Sequence, residues 1–188
     1  MQLPDFQLEK GSISERFIEK GIFTFKEACN FIQQLPYGRI SDRTNNSLVL
    51  SEEKGTCSSK HGLLASLTEE NDCLEIELIA AIFMMSPATH PQLTNYFQDK
   101  SFTYLPEMHC FFRYNGKRFD FTSSTNQMTF IETKLVREQR CEPHQVGEWK
   151  EMIHKEYLNK WVGRNPNLGL TFDEIWECRE ECIALLSE

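Results

Sequence analysis

His109-Cys110-Phe111-Phe112-Arg113-Tyr114-Asn115-Gly116-Lys117-Arg118-Phe119-Asp120-Phe121-Thr122 reads as two alternating, aromatic-rich strands joined by an Asn-Gly pair. That is the strongest short-range signal for a two-residue hairpin with a type I′ turn. With Asn115 and Gly116 in the loop, Tyr114 lies opposite Lys117, Phe111 opposite Asp120 and His109 opposite Thr122. Side chains alternate along a strand, so Cys110, Phe112, Phe119 and Phe121 share an apolar face, while His109, Phe111, Arg113, Arg118, Asp120 and Thr122 share the other. His109 and Asp120 become diagonal neighbours, about 7–8 Å apart and within reach of an imidazole–carboxylate bond. A carboxylate on one ring nitrogen fixes the tautomer of the other and stabilises the imidazolium, as in nucleophile–base–orienter triads.

A nucleophile stands upstream in Gly55-Thr56-Cys57-Ser58-Ser59-Lys60-His61-Gly62-Leu63-Leu64. Thr56 reads as an N-cap, so Cys57 opens a helix whose apolar side continues through Leu63, Leu64 and Leu67. A thiol in the first turn feels the positive end of the helix dipole. Lys60 and His61 are expected to add positive character, and no acid follows until Glu69, so the thiol pKa should fall.

The order Cys57, His109, Asp120 resembles the catalytic core of the transglutaminase-like superfamily: a Cys opening a helix after a Gly-x step, a strand with the His, a hairpin, and an Asp shortly before Thr. The resemblance spans residues 48–122. It implies an α+β, papain-like fold in which a helix bearing the Cys at its N-terminus packs on an antiparallel sheet bearing the His and the Asp. It also implies thiol-dependent chemistry at a protein or peptide amide, either hydrolysis or cross-linking, with Cys57, His109 and Asp120 as the catalytic residues and no cofactor. Family members often carry Ala-Trp after the His and Pro after the Asp, where this chain has Cys110-Phe111 and Phe121. That difference leaves a non-catalytic interaction module as the alternative, with residues 96–104 and two C-terminal helices as its surface.

Rival readings of the same residues are weaker. His61 is a second candidate base, since i, i+4 spacing sets it beside Cys57, but His109 has the orienting carboxylate. Cys57-x3-His61 with His109-Cys110, or Cys141-x2-His144 with Cys178-x3-Cys182, lack the tight paired spacing of structural zinc modules. No phosphate loop or dinucleotide fingerprint is present in the sequence.

With 188 residues, 40% hydrophobic and 12% aromatic, the chain reads as one globular domain with a proper core. Lys and Arg total 20 against 28 Asp and Glu, a net charge of −8, which argues against nucleic acid or an anionic membrane as partner. Seven cysteines, an odd number, several on expected core faces, read as reduced thiols. The N-terminal residues lack the features of a signal peptide and the apolar run 78–85 is too short to span a bilayer, so the expected location is cytoplasmic.

Along the chain, Ser12-x-x-Glu15 and Thr24-x-x-Glu27 are capping-box patterns, the second heading an amphipathic helix. Residues 48–50 read as a short strand, residues 73–78 as a half-buried strand passing into a fully buried run to 85, and residues 93–105 as an aromatic connection whose main role is packing. Trp149, Met152, Ile153, Tyr157, Leu158 and Trp161 mark one amphipathic helix. Thr171-x-x-Glu174 caps a last one carrying Ile175, Cys178, Cys182, Ile183 and Leu186.

Overall fold

In the computed structural model, which describes residues 2–125 and 128–187, the first elements are α1 (Ser12–Glu19) and α2 (Phe25–Gln34). The capping box on α2 forms as its spacing predicts: Glu27 N–H donates to Thr24 Oγ1 at 3.3 Å, and Thr24 N–H donates to the Glu27 carboxylate at 3.0 Å. The pattern at Ser12 does not form. Ser12 is already inside α1, Gly11 is the N-cap, and the Glu70 carboxylate, distant in sequence, accepts from the N–H groups of Ile13 and Ser14 at 3.0 and 2.9 Å. A tertiary carboxylate satisfies the orphan amides that a local cap would otherwise take. Glu70→Ala should therefore cost about 1–2 kcal/mol, read as a fall of a few degrees in the thermal unfolding midpoint; an unchanged midpoint would show that these amides are capped by water equally well.

Residues 48–50 do not form a strand. They begin α3 (Leu48–Glu52), in which Val49 and Leu50 are buried and which ends on Glu53 at φ 51°. A three-residue apolar run fits either period, and burial on one side decided it. Next comes α4 (Cys57–Glu70), with Cys57 in its first turn as expected. β1 (Glu77–Met85) starts later than the alternation suggested, because residues 73–76 form a turn after Asp72 at φ 58°, and Leu74 is 60% exposed. The aromatic connection contains α5 (Thr94–Gln98), and its Phe97 and Phe102 are core residues.

β2 (Leu105–Tyr114) and β3 (Lys117–Phe119) form the hairpin in the register read from the Asn-Gly pair: Tyr114 opposite Lys117, Arg113 opposite Arg118, Phe112 opposite Phe119. Asn115 and Gly116 both have positive φ, 47° and 72°, as a type I′ turn requires. The ladder stops at Phe119, so the expected pairing of Phe111 with Asp120 and of His109 with Thr122 does not occur. The Asp120 side chain accepts from Thr122 N–H at 2.9 Å, an Asx-type bond that competes with ladder pairing. After α6 (Met128–Glu132), β4 (Leu135–Arg140) pairs with the other side of β1. The chain then forms α7 (Glu148–Arg164) and α8 (Phe172–Leu185), the two C-terminal helices expected from their patterns.

The described residues thus make an α+β fold of eight α-helices and a four-stranded antiparallel sheet ordered β3-β2-β1-β4. Both faces of β1 and β2 are covered. Leu78, Ala80, Ile82, Cys110 and Phe112 pack with Leu63, Leu64 and Leu67 of α4. On the reverse, Ile79, Ala81, Phe83 and Phe111 pack with Leu158 and Trp161 of α7 and Ile175 of α8. Phe111, which the alternation placed on a polar face, is fully buried there. Among the described residues no helix is long and apolar enough to cross a membrane.

Candidate active site

Cys57 is placed by the approach of the chain to α4. Gly55 N–H donates to the Pro36 carbonyl at 3.1 Å. A Cβ at Gly55 would lie 2.8 Å from Lys60 Cγ and 3.0 Å from Ser59 Oγ, so the glycine lets the backbone run close beneath the helix. Thr56 follows in an extended conformation, its N–H donating to Ser59 Oγ at 3.0 Å and its carbonyl accepting from Lys60 N–H at 3.0 Å. The turn closes with the Cys57 side chain almost buried, 7% exposed, at the wall of a cleft of about 240 Å³ that His109 also lines.

β3 accompanies β2 only over Phe112 to Tyr114, and the earlier part of β2, through Glu107, Met108 and His109, lines the same cleft. His109 Nε2–H donates to Asp120 Oδ2 at 2.9 Å. The other carboxylate oxygen accepts from Thr122 N–H at 2.9 Å and Thr122 Oγ1–H at 2.5 Å. The His109–Asp120 pair predicted as a diagonal across the ladder is therefore formed, with Asp120 just past the strand end instead of inside it. Arg113 and Arg118, on nearby positions, are bound to Glu77 and Glu138, so Asp120 keeps its charge for histidine.

The electrostatics follow from these contacts. Burial alone would push His109 down, but the Asp120 carboxylate and the Cys57 thiolate outweigh it and raise the imidazole to about 10. Burial would raise Asp120, but the His109 imidazolium and the Thr122 hydroxyl outweigh it and hold the carboxyl far below its ordinary range. Cys57 lies well below an ordinary thiol: a hydrogen bond from Cys110 leads, opposed by burial, with the charges of Lys150 and His109 adding to it. The pair can rest as thiolate and imidazolium at neutral pH.

The structure corrects the source of the positive character. His61 was expected to assist Cys57 and was the rival base. Its Nδ1–H donates to the Cys57 carbonyl and its Nε2 accepts from Phe121 N–H, both at 2.9 Å. These partners assign the neutral tautomer, and burial lowers its pKa further. With both nitrogens used, His61 is neither a base nor a free metal ligand. Lys60 turns inward instead, donating to the carbonyls of Leu35 and Thr122 at 2.5 and 2.7 Å. It ties the end of α2 to the backbone beside Asp120. Among the described residues no three His, Cys, Asp or Glu side chains are arranged to hold a metal ion.

No protein-family model, curated protein or solved structure matches the chain.

Residues beyond the sequence reading complete the cleft. Lys150 of α7 is buried, with Nζ 2.7 Å from Ser58 Oγ and 3.8 Å from Cys57 Sγ. Burial would lower its pKa, but the Cys110 and Cys57 thiol pair and Glu107 outweigh this and raise it. In the same lining, Arg179 of α8 grips Glu107 of β2 through two bonds, of 2.6 and 2.9 Å. A sequence signal for both existed. The buried residues of α7 are Lys150, His154, Leu158 and Trp161, so extending the apolar stripe back from Trp161 and Leu158 lands on His154 and Lys150. Likewise Arg179 lies between Ile175 and Cys182 on the inner side of α8. A charged side chain on a core stripe needs a partner or a purpose.

Proposed function

We propose that the protein is a cysteine-dependent acyl-transfer enzyme acting on a protein or peptide amide, built on a papain-like, transglutaminase-like arrangement. The observation that carries this reading is the His109–Asp120 bond at 2.9 Å on the wall of the cleft that holds Cys57. It ties Nε2 to the carboxylate and leaves Nδ1 as the nitrogen that exchanges a proton with the thiol. In the reaction, Cys57 attacks the carbonyl carbon, and His109 then protonates the departing amine while Asp120 holds the ring. Water or a second amine resolves the thioester.

The reading is tested first at the thiol. Iodoacetamide in limiting amount at pH 6 to 7, followed by peptide mapping, is expected to mark Cys57 first. Cys73, Cys141 and Cys182 are pushed by burial to about 11, 11 and 12, and the buried Cys29 is also raised. Each unit of separation is a tenfold difference in thiolate below those values. Labelling spread evenly over the cysteines would overturn the reading.

A further inference from the structure

The thiol–imidazole–carboxylate set explains nucleophile, proton carrier and orienting group, but leaves one demand of acyl transfer open. When a thiolate adds to a carbonyl, the electron pair of the C=O bond moves to oxygen, and the negative charge needs a donor in place before it forms. The Cys57 backbone N–H, at the first turn of α4, supplies one donor. We infer that the Lys150 ammonium is the second, a catalytic group that binds the oxyanion of the tetrahedral intermediate formed on Cys57.

Placement supports this role. Two cations that line the cleft are held differently: Arg179 is gripped by the Glu107 carboxylate, whereas the buried Lys150 meets a hydroxyl and a sulfur. A guanidinium committed to a carboxylate has little attraction left for a transient anion. An ammonium that donates to a neutral hydroxyl and faces a sulfur keeps its charge and one further N–H. Ser58 Oγ, at 2.7 Å, fixes its direction, and Nζ stands 3.8 Å from the attacking sulfur. An oxyanion on the carbon joined to that sulfur comes within hydrogen-bond reach of a donor so placed. The low exposure of Lys150, 7%, keeps water from screening the charge.

The inference rests on the acyl-transfer reading and adds one balanced step to it. The Sγ–C bond forms as the C=O pair becomes the oxyanion, and Lys150 and the Cys57 N–H hold that charge. The pair then returns to carbon as the bond to the leaving group breaks, with the proton of His109 passing to a departing amine.

Two reagents separate a donor to the oxyanion from a residue that only lowers the thiol pKa. Iodoacetamide alkylates at a saturated carbon and creates no oxyanion; p-nitrophenyl acetate acylates through one and releases a phenolate that needs no proton. Rates of both at Cys57 would be measured against pH, up to the plateau where the thiol is fully ionised, in wild type, Lys150→Met and Lys150→Gln. The plateau for acylation should fall about 10²–10³-fold in Lys150→Met while the plateau for alkylation holds. Lys150→Gln, a neutral donor of similar length, should fall less, and it carries the test if the Met variant does not fold. Equal plateau changes with both reagents, or none with either, would overturn the inference while leaving Cys57 as nucleophile. Cys57→Ala acylated as fast as wild type would overturn the acyl-transfer reading itself, and the inference with it.

Discussion

Asp120→Asn should slow acylation of Cys57 by p-nitrophenyl acetate at pH 6 to 7 by roughly 10³–10⁴-fold, the scale set by loss of the orienting carboxylate in such triads. The geometry fixes how the amide would sit. Thr122 N–H, 2.9 Å from Asp120 Oδ1, can only donate, and the Thr122 hydroxyl bonds the same oxygen. The Asn carbonyl oxygen must therefore face Thr122, which turns the NH₂ group toward His109 Nε2. Nε2 then becomes the acceptor and the ring proton moves to Nδ1, the nitrogen that has to take the proton of Cys57. His109 also loses the charge that holds it near 10 in spite of burial, so the imidazolium that stabilises the thiolate is gone. The loss should shrink above about pH 9, where a thiol ionises without help. The unfolding midpoint should move by only a few degrees, since the Thr122 bonds persist. Superimposable pH profiles for wild type and variant would remove Asp120 from the site.

The positions of Cys57, His109 and Asp120, the three residues of the proposed triad, follow from local devices in the sequence. Asn115-Gly116 sets the hairpin, Gly55-Thr56 opens α4, and Asp120, read as a ladder residue opposite Phe111, instead lies just past β3, two residues before the Thr that bonds its side chain. None of these needs knowledge of the rest of the chain. Their assignment to a cleft required the opposite. Lys150 and Arg179 are charged residues on amphipathic helices, and the usual reading of such residues is a solvated face. Met152, which the apolar pattern of α7 placed inside, is 49% exposed, while Lys150 and His154 are buried. The stripe on α7 runs through positions 150, 154, 158 and 161 because the helix packs across the end of β2, where the cleft needs polar groups.

The fold divides in the same way. Hairpin, capped helices and the buried core of β1 carry strong local patterns, whereas β4 was not visible at all. Its sequence, Leu-Val-Arg-Glu-Gln-Arg, offers no apolar alternation, since it is an outer strand held by pairing to β1. Glu138 in it binds Arg118 of β3 at 2.6 Å, so a charge that hides the strand also ties it across the sheet to the hairpin on the far side of β1. The role of His61 was misjudged because i, i+4 spacing shows proximity but not direction, and both of its nitrogens face backbone groups.

Arg179→Met should be the most destabilising of these substitutions, by about 3–5 kcal/mol at pH 7, because it strands a buried carboxylate. Glu107 and Arg179 have side chains only 7% and 13% exposed. The carboxylate is otherwise bonded within its own strand, to Met108 N–H at 2.9 Å. In wild type the charge of Arg179, with that of Lys150, overcomes burial and depresses Glu107 to about 2. A depressed acid stabilises the fold above its unfolded pKa of about 4.5 and loses that contribution as pH falls toward 2. Without Arg179 burial dominates and the sign reverses. Glu107 then titrates above its unfolded value, so the fold is penalised as pH rises through the new pKa. His154, whose Nδ1 is 3.9 Å from Glu107 Oε1 and which burial now keeps neutral, gains affinity for a proton from the unpaired carboxylate. Both changes make the deficit of Arg179→Met largest at pH 7 and smaller at pH 5. It should appear as a fall of about 6–20 °C in the unfolding midpoint at pH 7. Adding Glu107→Gln should restore most of the loss, since a neutral amide costs less to bury than an unpaired charge. A deficit below about 1 kcal/mol that does not change with pH would show that water reaches Glu107. The ion pair would then cease to be what fixes α8 against β2 in the lining of the cleft.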